Sequence, residues 1–537
     1  MPEGFCPRKF IDSYHEIVLL FSIAKRRLFR LEEQITSASF VEAHEGKGLK
    51  MGRFDSVVLG GKAVLPGRGA VRVDVGVKDG KISAVGEEFS SQDADEVVDA
   101  AGKLVLPGAV DAHFHLGIYR DITEDTKSET ISSLAGGVTS VISYFRTGSH
   151  YLEKSGPYAE IFPEVLGATN GHSYVDYGYH LAPMMREHVR EIERLVNEEG
   201  VASFKYYMFY KGLDLAGASS DAKSYTLSEE YDLGHLFEIM EAVAKTQAER
   251  ARDGSRISLS IHCEQPELIR VFSERVKEEG VLTGLEAYSA SRPTLTEHLA
   301  VAEVGVLAGH TRCPINFLHL SSEEALLAAL EVKRQHPMLD ARLETTLHHL
   351  ALTYETYNDQ RGKVNPPIRA QSDVEALWRG VVRGEIDWVC SDHACCSEEH
   401  KEGDLWNALP GFGGTALVYP FMLTEGRRRG LSFERIVDLV ATNPAKAYGL
   451  APRKGAISVG ADADLVVVDM NAAHEVTTER LLSAQDHTPF EGMELTGWPI
   501  RTLLRGRTAF ADGEPVGDPQ GAYLKRPLPA GQFITAP

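Results

Sequence analysis

Residues 104–115, LVLPGAVDAHFH, decide the fold of this chain. Their apolar first part is typical of a buried strand, and the strand ends in two histidines spaced two residues apart. Alternate side chains of a strand lie on one face, so His113 and His115 face the same side at the strand end and can share one metal ion. Taken alone, the pair does not separate a metal site from two polar strand residues.

Seven further runs of apolar or β-branched residues follow along the chain, and a stretch of helix length follows each run. Repeated strand and helix units predict a parallel sheet in an α/β fold. Eight strands are the number that a closed (β/α)8 TIM-like barrel needs, so we predict such a barrel over residues 106–454. The predicted strands centre on residues 104–115, 138–145, 175–181, 201–208, 257–263, 315–320, 342–347 and 386–392.

Short segments with alternating apolar and polar residues lie on both sides of the predicted barrel. The clearest of these segments are residues 54–59, 71–77, 463–469 and 502–507. Alternation with a period of two, broken by glycine turns, is typical of half-buried strands. We therefore predict a smaller β-sandwich domain built from both ends of the chain, residues 51–105 and 455–515, followed by a C-terminal tail, residues 516–537.

Residues 1–50 are predicted to be an N-terminal extension that is helical or not part of the core. Their apolar run, residues 17–24, is too short to span a bilayer and is followed by three basic residues rather than a small-residue cleavage site. We therefore expect neither a signal peptide nor a membrane segment. Met51 opens a segment that looks like an ordinary protein start, so the part that residues 1–50 play in the working protein stays open.

The composition indicates a globular protein that does not bind nucleic acid. Acidic residues outnumber basic ones 77 to 56, giving a formal net charge of −21, and no dense lysine and arginine stripe interrupts this excess. Hydrophobic residues make up 43% and charged residues 25%, which is ordinary for a folded chain. The six cysteines, two of them adjacent at Cys395 and Cys396, are too irregular for a disulfide framework. We therefore expect reduced thiols and a cytoplasmic location.

Further candidate metal ligands close later predicted strands. His262, His319 and Asp392 end the fifth, sixth and eighth strands, although each one alone fits a core histidine or a helix-capping aspartate better. Catalytic residues of a barrel collect at the carboxyl ends of its strands, and unrelated structural residues would scatter. Lys205 lies inside the fourth strand among aromatic and apolar neighbours, where a lysine is rare unless it is paired or modified. A snorkelling or ion-paired side chain is the alternative at that position.

With these motifs, the chain resembles the hydantoinase and dihydropyrimidinase branch of the amidohydrolase superfamily, from about residue 51 to the C-terminal region. The resemblance implies a full set of metal ligands, which are His113, His115, Lys205, His262, His319 and Asp392. It further implies that Lys205 is carboxylated by carbon dioxide to N6-carboxylysine and bridges two divalent ions. Imidazole and carboxylate ligands suit zinc, with manganese, iron or cobalt as alternatives.

The same resemblance implies residues that contact the substrate. Tyr210 corresponds to the family's substrate-contacting tyrosine, with aromatic packing as its alternative role. A Pro-Pro-Ile-Arg sequence at residues 366–369 resembles a family signature, and Asn365 before it and Asn407 in the later Asn-Ala-Leu-Pro-Gly loop are expected to hold the substrate ring. Asn365 replaces the family's usual serine and Ala408 replaces a glycine, so the identity of the ring stays open.

These residues suit hydrolysis of a cyclic amide, in which an unactivated carbonyl resists attack by water. A hydroxide that bridges two cations about 3.5–4 Å apart exists near neutral pH, and one cation polarises the carbonyl. We expect Asp392 to act as general base and then as general acid toward the leaving ring nitrogen, and Tyr210 to donate to the oxyanion. The expected substrate is a small molecule, namely a hydantoin, a dihydropyrimidine or a related cyclic imide or lactam.

Two alternatives remain. The first is a dihydroorotase or an allantoinase of the same superfamily. Dihydroorotases carry an arginine where this chain has Gly117, so a ring carboxylate lacks a bidentate partner there and neutral rings are expected, unless Arg120 supplies that contact. The second is a non-catalytic dihydropyrimidinase-related scaffold, which predicts gaps in the ligand set that this sequence does not have. Family resemblance also implies a homo-oligomer, either a tetramer or a dimer.

Overall fold

The computed structural model describes residues 54–210, 231–250 and 255–527 of the 537-residue chain. The predicted N-terminal extension, residues 1–50, and the last part of the predicted tail, residues 528–537, lie outside the described residues.

The described elements are numbered along the chain. The strands are β1 (Phe54–Leu59), β2 (Lys62–Leu65), β3 (Gly69–Arg72), β4 (Asp74–Lys78), β5 (Lys81–Gly86), β6 (Ala94–Asp99), β7 (Leu104–Pro107), β8 (Ala109–Phe114), β9 (Val138–Phe145), β10 (Asp176–Leu181), β11 (Ser203–Tyr207), β12 (Ser258–His262), β13 (Ile315–Phe317), β14 (Ala341–Thr346), β15 (Trp388–Cys390), β16 (Leu465–Val468), β17 (Ala473–Glu475), β18 (Glu494–Thr496), β19 (Pro499–Leu504), β20 (Arg507–Ala511) and β21 (Glu514–Pro515). The helices are α1 (Ile122–Ala135), α2 (Tyr158–Thr169), α3 (Arg186–Arg194), α4 (Leu233–Arg250), α5 (Pro266–Glu279), α6 (Gly284–Ser291), α7 (Thr294–Thr311), α8 (Glu323–Gln335), α9 (Leu347–Ala351), α10 (Gln371–Arg383), α11 (Glu398–Lys401), α12 (Val418–Phe421), α13 (Phe433–Val437), α14 (Asn443–Ala447) and α15 (Thr478–Leu481).

Strands β8 to β15 form one eight-stranded parallel sheet in chain order. The sheet curls until its first and last strands meet, where the His115 N–H donates to the His393 carbonyl at 2.9 Å. The Ser391 N–H also donates to the Asp111 carboxylate at 3.1 Å across the same seam. All eight predicted runs overlap these strands, so the prediction of a (β/α)8 barrel is confirmed.

The first predicted run differs in one respect, because it contains two strands in two sheets. Strand β7 pairs with β16 outside the barrel, whereas β8 pairs with β9 inside it. Gly108 separates them, and a Cβ atom built there would lie 2.0 Å from the Thr139 hydroxyl oxygen. The backbone therefore approaches β9 so closely at this point that only glycine fits, and the chain changes sheets there.

Two sheets outside the barrel form the smaller β structure. A seven-stranded sheet has the order β21-β20-β19-β16-β7-β2-β3, so it joins strands from both ends of the chain as predicted. A four-stranded sheet, β5-β4-β1-β6, comes from the N-terminal segment alone. Buried side chains from both segments pack together, including Val58, Val75, Val105, Leu465 and Leu503. The exact domain bounds stay a prediction.

The helices around the barrel begin and end at residues suited to those positions. The Asp121 carboxylate accepts from the Thr123 and Glu124 N–H groups at the start of α1, and the Ser322 hydroxyl caps α8. Gly384 ends α10 in the left-handed conformation, which glycine adopts at little cost. Among the helices of the described ranges, none is long and apolar enough to cross a membrane.

Residues 516–527, the described part of the predicted tail, lie against the amino ends of the barrel strands. The Leu524 N–H donates to the Tyr177 carbonyl and the Arg526 N–H to the Gly200 carbonyl, both at 2.7 Å. The buried Arg526 guanidinium also donates to Ser203 Oγ at 3.1 Å. These contacts close the amino end of the barrel.

Candidate metal centre

The predicted metal ligands lie on the carboxyl side of the barrel strands, as the fold requires. His113 is in β8, Lys205 in β11 and His262 at the end of β12. His115 follows β8 directly, and His319 and Asp392 lie two residues beyond β13 and β15. All six side chains are buried, and the most exposed residue, His115, is 9% exposed. The barrel thus gathers residues that are up to 279 positions apart in sequence, from His113 to Asp392.

Distances between these side chains define one cluster. Asp392 Oδ1 lies 3.0 Å from His113 Nε2 and 3.2 Å from His115 Nε2. Lys205 Nζ lies 3.4 Å from the same His113 nitrogen. The ring of His319 lies 5.3 Å from that of His113 and 4.3 Å from that of His262, centroid to centroid. The structure therefore brings all six predicted ligands together.

Two of these residues have an unusual backbone conformation. His319 has a φ of +34° and Asp392 a φ of +52°, both in the left-handed region that side chains with a Cβ disfavour. Such strain is retained only where the surroundings impose it, and it is concentrated at functional sites. Both residues lie two positions beyond the end of a barrel strand, where this conformation turns their side chains into the cluster.

Two glutamates that the sequence analysis did not select orient the histidines. Glu344 in β14 lies with Oε1 2.6 Å from His113 Nδ1, and its Oε2 accepts a hydrogen bond from the Trp388 indole at 2.7 Å. Glu264 lies 2.6 Å from His262 Nε2 and is held by Arg292 at 2.7 Å. When Nδ1 of His113 donates to Glu344, its Nε2 lone pair is free toward Asp392 and Lys205. Carboxylates that fix a histidine tautomer in this way are typical of metal sites.

Burial and neighbouring charges set the protonation of the cluster. Burial opposes a charged Asp392, but the imidazoles of His113 and His115 outweigh it and hold the Asp392 pKa well below its ordinary value. Burial lowers the pKa of His115 and of His262 to about 4, and it lowers that of His319 well below its ordinary value. Three neutral imidazoles and one carboxylate are therefore available as ligands at neutral pH.

Lys205 is buried without a carboxylate partner in the described part of the chain. Its Nζ lies over the ring of Tyr144 at 4.0 Å and over that of Tyr207 at 4.7 Å. Burial lowers the pKa of this amine to about 8, so a substantial neutral fraction exists near physiological pH. A neutral amine is nucleophilic, whereas an ammonium group neither reacts with carbon dioxide nor binds a cation.

The donor set fits divalent metal ions. Ligand atoms of His113, His115 and Asp392 all lie within 4.8 Å of one another, and these residues are buried. The buried Nδ1 of His319 has no hydrogen-bond partner in the part of the chain that the structure describes, and an orphaned polar atom of this kind requires an explanation. Imidazole and carboxylate donors are the ligands that zinc and similar ions prefer. A metal pair would account both for the clustering and for the orphaned nitrogen.

Aromatic residues form one wall of the cluster. Tyr207 contacts Tyr210 with ring centroids 4.8 Å apart, and Phe209 lies 4.4 Å from the His262 ring. The Tyr151 hydroxyl lies 3.0 Å from His115 Nδ1. Tyr210 is thus at the edge of the cluster, half-buried, with Lys211 beyond it outside the described residues.

The two predicted asparagines are not joined to the cluster by any hydrogen bond within the described ranges. Asn365 accepts a hydrogen bond from the Tyr288 hydroxyl. The Asn407 side chain is exposed, and its backbone N–H donates to Asp404 at 2.9 Å. Buried Lys363 donates to three carbonyls of this loop, including that of Ala408. The loop shape is therefore well defined, while the roles of Asn365 and Asn407 stay predictions.

Arg120, the alternative contact for a carboxylate on the substrate ring, is already neutralised by protein carboxylates. Its Nη1 lies 3.2 Å from the Asp125 carboxylate and 3.7 Å from that of Glu129. Glu129 also lies 2.8 Å from Nε2 of His393, the residue after Asp392. The group around Arg120 therefore braces the strand end that carries Asp392, and its guanidinium is occupied.

Comparison with known proteins identifies the family. The model of the amidohydrolase family matches residues 104–509. An allantoinase from Rubrobacter xylanophilus is 33% identical over 481 residues, covering 88% of this chain and 98% of that protein. A D-hydantoinase from Ralstonia pickettii is 29% identical over 489 residues, with the same two coverages of 88% and 98%. The solved L-hydantoinase (dihydropyrimidinase) from Arthrobacter aurescens has a TM-score of 0.77 and 27% identity, covering 88% of this chain and 100% of that one. With its barrel, its cluster of buried ligands and these relatives, the chain belongs to the amidohydrolase family.

Proposed function

We propose that this protein hydrolyses the amide C–N bond of a small cyclic amide with two divalent metal ions held by the cluster. One observation carries the proposal: six metal-ligand side chains from five different strands converge at the carboxyl end of the barrel, while the lysine among them has no carboxylate partner in the described residues. In a purely structural core, that lysine would be paired with a carboxylate or replaced by an apolar residue. A hydrolytic site uses it.

His113, His115, His262, His319 and Asp392 would hold the metals, with zinc as the proposed ion. Lys205 would complete the set as N6-carboxylysine, because carboxylation turns a cationic amine into an anionic oxygen ligand. Its burial and lowered pKa, about 8, support this chemistry. Bound divalent ions would lower the pKa of water and polarise the substrate carbonyl.

Asp392 is the proposed proton carrier. Its pKa lies well below the ordinary value, because the imidazoles of His113 and His115 outweigh its burial, so it is ionised at neutral pH. The ionised form is the one that a general base needs, and Asp392 would accept a proton from the attacking water. The same carboxyl group would then donate that proton to the ring nitrogen as the C–N bond breaks. Tyr210, at the edge of the cluster, would donate its hydroxyl hydrogen to the carbonyl oxygen as negative charge develops there.

The relatives limit the choice of substrate ring. Hydantoinases and an allantoinase are both among them, and hydantoin and allantoin share a five-membered ring with two amide-type nitrogens. We propose a hydantoin, a dihydropyrimidine or a related cyclic imide or lactam as substrate class. Allantoin is the second candidate, since the allantoinase has the higher identity of the two relatives compared, 33% against 29%.

The test is a ring-opening assay on purified protein supplied with zinc, manganese or cobalt and with bicarbonate. Hydantoin, dihydrouracil, succinimide, allantoin and dihydroorotate form the panel, with Asp392→Asn as the inactive comparison. We expect hydrolysis of at least one ring, lost on chelation and restored by metal. Absence of metal-dependent ring opening across the panel, in protein shown to contain two metals, would contradict the proposal.

The remaining expectations concern the cellular location and the oligomeric state of the enzyme. Five cysteines of the described residues are buried and unbridged, which supports the proposed cytoplasmic location. Family resemblance supports a homo-oligomer, a tetramer or a dimer. Light scattering on the purified chain decides between these sizes and a monomer.

A further inference from the structure

A second buried cation lies beside the metal cluster, and the proposed reaction does not use it. Arg146 directly follows β9, at the carboxyl end of the barrel, and is only 4% exposed. Its guanidinium carbon lies 5.7 Å from the Tyr151 ring centroid and 5.3 Å from the Tyr210 ring centroid. Tyr151 contacts His115 through its hydroxyl, and Tyr210 is the proposed oxyanion donor. Arg146 therefore touches both aromatic residues that line this side of the cluster.

Within the described ranges, the Arg146 guanidinium has few partners for its burial. Nη1 donates to the carbonyls of Ser149 at 2.7 Å and Thr147 at 3.3 Å, and the Tyr210 hydroxyl interacts with the group as well. No carboxylate of the described ranges lies within ion-pair distance. Burial works against the charge, but the phenol oxygens of Tyr210, Tyr151 and Tyr207 outweigh it, so the pKa of Arg146 lies above its ordinary value. Among the described residues, Arg146 is thus a permanent buried cation without an anion.

The other arginines near the cluster are neutralised. Arg292 lies 2.7 Å from Glu264, and Arg120 lies 3.2 Å from Asp125. Arg369, farther out, lies 2.7 Å from Glu297. A buried charge without a counter-charge is costly, and a bound anionic ligand is one way to supply that counter-charge. A planar guanidinium binds a carboxylate through two parallel hydrogen bonds, a geometry that discriminates strongly in favour of that group.

We infer that Arg146 recognises an anionic substituent of the substrate, so that the preferred ring is a cyclic amide carrying a carboxylate. This inference rests on the proposed function and deepens it. It also replaces the sequence-based expectation of neutral rings, which considered only the position of Gly117 and the neighbouring Arg120. The next strand of the barrel supplies a guanidinium that the motif comparison did not include.

Matched substrate pairs test the inference. Dihydroorotate is compared with its carboxamide, and hydantoin-5-acetate with hydantoin-5-acetamide, so that only the charge differs within each pair. We expect the metal-loaded wild-type protein to favour the carboxylate member of at least one pair by about 10-fold or more in kcat/KM. Equal rates within both pairs, or a preference for the carboxamides, would overturn the inference while leaving ring hydrolysis as proposed.

Substitutions of Arg146 test whether this residue causes the preference for the carboxylate substrate. Arg146→Gln should reduce kcat/KM for the carboxylate member about 30-fold or more beyond its effect on the carboxamide member, and Arg146→Lys should recover part of that difference. Arg120→Gln is the matched control and should leave the charge preference intact. An equal loss on both members would show that Arg146 only positions Tyr210, and a loss of preference in Arg120→Gln alone would place the contact there. Either result would overturn the inference.

A binding measurement keeps the test independent of turnover. Calorimetry on the metal-loaded protein compares dihydroorotate and hydantoin-5-acetate with their carboxamides, in the wild type and in Arg146→Gln. We expect tighter binding of a carboxylate member to the wild type and loss of that difference in the variant. If no ring is hydrolysed, the proposed function fails, and equal binding of charged and neutral members would then reject the role of Arg146 as well.

Discussion

The two ends of the barrel hold their buried lysines in opposite ways. At the amino end, Lys454 lies 2.6 Å from Asp176 and 2.7 Å from Asp464, and Arg505 also pairs with Asp176. At the carboxyl end, Lys205 and Arg146 are buried with no carboxylate partner in the described ranges, and the buried Nδ1 of His319 has no hydrogen-bond partner. The buried lysine at the amino end is thus paired with aspartates, while Arg526 there donates to Ser203 Oγ and to the Tyr179 and Tyr448 carbonyls. At the carboxyl end, the proposed metals, carboxylated Lys205 and substrate would supply the missing partners, and this difference marks the proposed functional face.

Replacing Lys205 or Lys454 by alanine tests this comparison, and these replacements have the largest expected effect. Lys205→Ala should lose the metal pair and activity together, because it removes the proposed bridging ligand and should leave the fold intact. Lys454→Ala should retain metals and turnover in its folded fraction but lose about 3–5 kcal/mol of unfolding free energy, since among the described residues it leaves the buried Asp464 without an ion-pair partner and Asp176 with Arg505 alone. Metal analysis, turnover and thermal unfolding are measured on both.

Partial rescue of Lys205→Ala by added short carboxylic acids would sharpen the conclusion, because such acids replace the carboxylated side chain. A fully metallated and active Lys205→Ala protein would contradict the account.

The two aspartates give the next largest contrast. Asp392→Asn should fold normally and lose on the order of 10²–10⁴-fold in kcat, because it keeps the shape of the proton carrier and removes its function. It is also expected to weaken one metal, so metal content is measured alongside. Asp464→Asn, its counterpart at the amino end, should lower the thermal midpoint and leave kcat per folded molecule unchanged. Near-normal turnover of metallated Asp392→Asn would show that another group carries the proton.

Glu344 tests whether the orientation of a ligand matters in addition to its presence. Glu344→Gln removes the carboxylate that fixes the His113 tautomer, and metal affinity should fall about 10–100-fold. Glu331→Gln, whose carboxylate pairs with Arg334 on the surface, is the control. Equal metal affinity in wild type and Glu344→Gln, measured by competition with a chelator, would remove Glu344 from the account.

The pH dependence of Lys205 carboxylation has the smallest expected effect. Burial lowers the Lys205 pKa from 10.5 to about 8, so its neutral fraction increases as the pH rises toward 8 and changes little above it. In metal-free protein at fixed dissolved carbon dioxide, the rate of reactivation by metal should rise about tenfold per pH unit below that value and then level off. A rate that is flat from pH 6 to 9, or still rising at pH 10, would show that Lys205 titrates elsewhere.

Part of the site at the carboxyl end of the barrel could be predicted from the sequence. Particular residues show which part could not. His113, His115, His262, His319 and Asp392 could be selected because each lies at or just beyond the end of an apolar run, a position that a barrel makes equivalent. The eight runs themselves could be located for the same reason. The change of sheet at Gly108 could not, because it depends on the distance between the backbone and Thr139 in the folded chain.

The orienting and charge-bearing residues were missed for a different reason. Glu344 lies inside the seventh predicted strand and Arg146 directly after the second, so both positions carried a signal that went unused. Their significance depends on which charges they meet, and that is a property of tertiary structure. Glu344 meets His113 across 231 positions of sequence, whereas Arg146 meets no carboxylate among the described residues. A charged residue inside a buried strand, for Glu344, or directly after one, for Arg146, is the signal that could have found them.

Metal stoichiometry is the most direct test of the central claim that the incomplete carboxyl end is a binuclear hydrolytic site. Elemental analysis of protein purified in bicarbonate, titrated with zinc while ring opening is followed, gives metals bound per chain at full activity. Four imidazoles, one carboxylated lysine and one carboxylate exceed what one tetrahedral ion uses, so we expect activity to saturate at two metals per chain. Full activity at one metal or fewer would contradict the account.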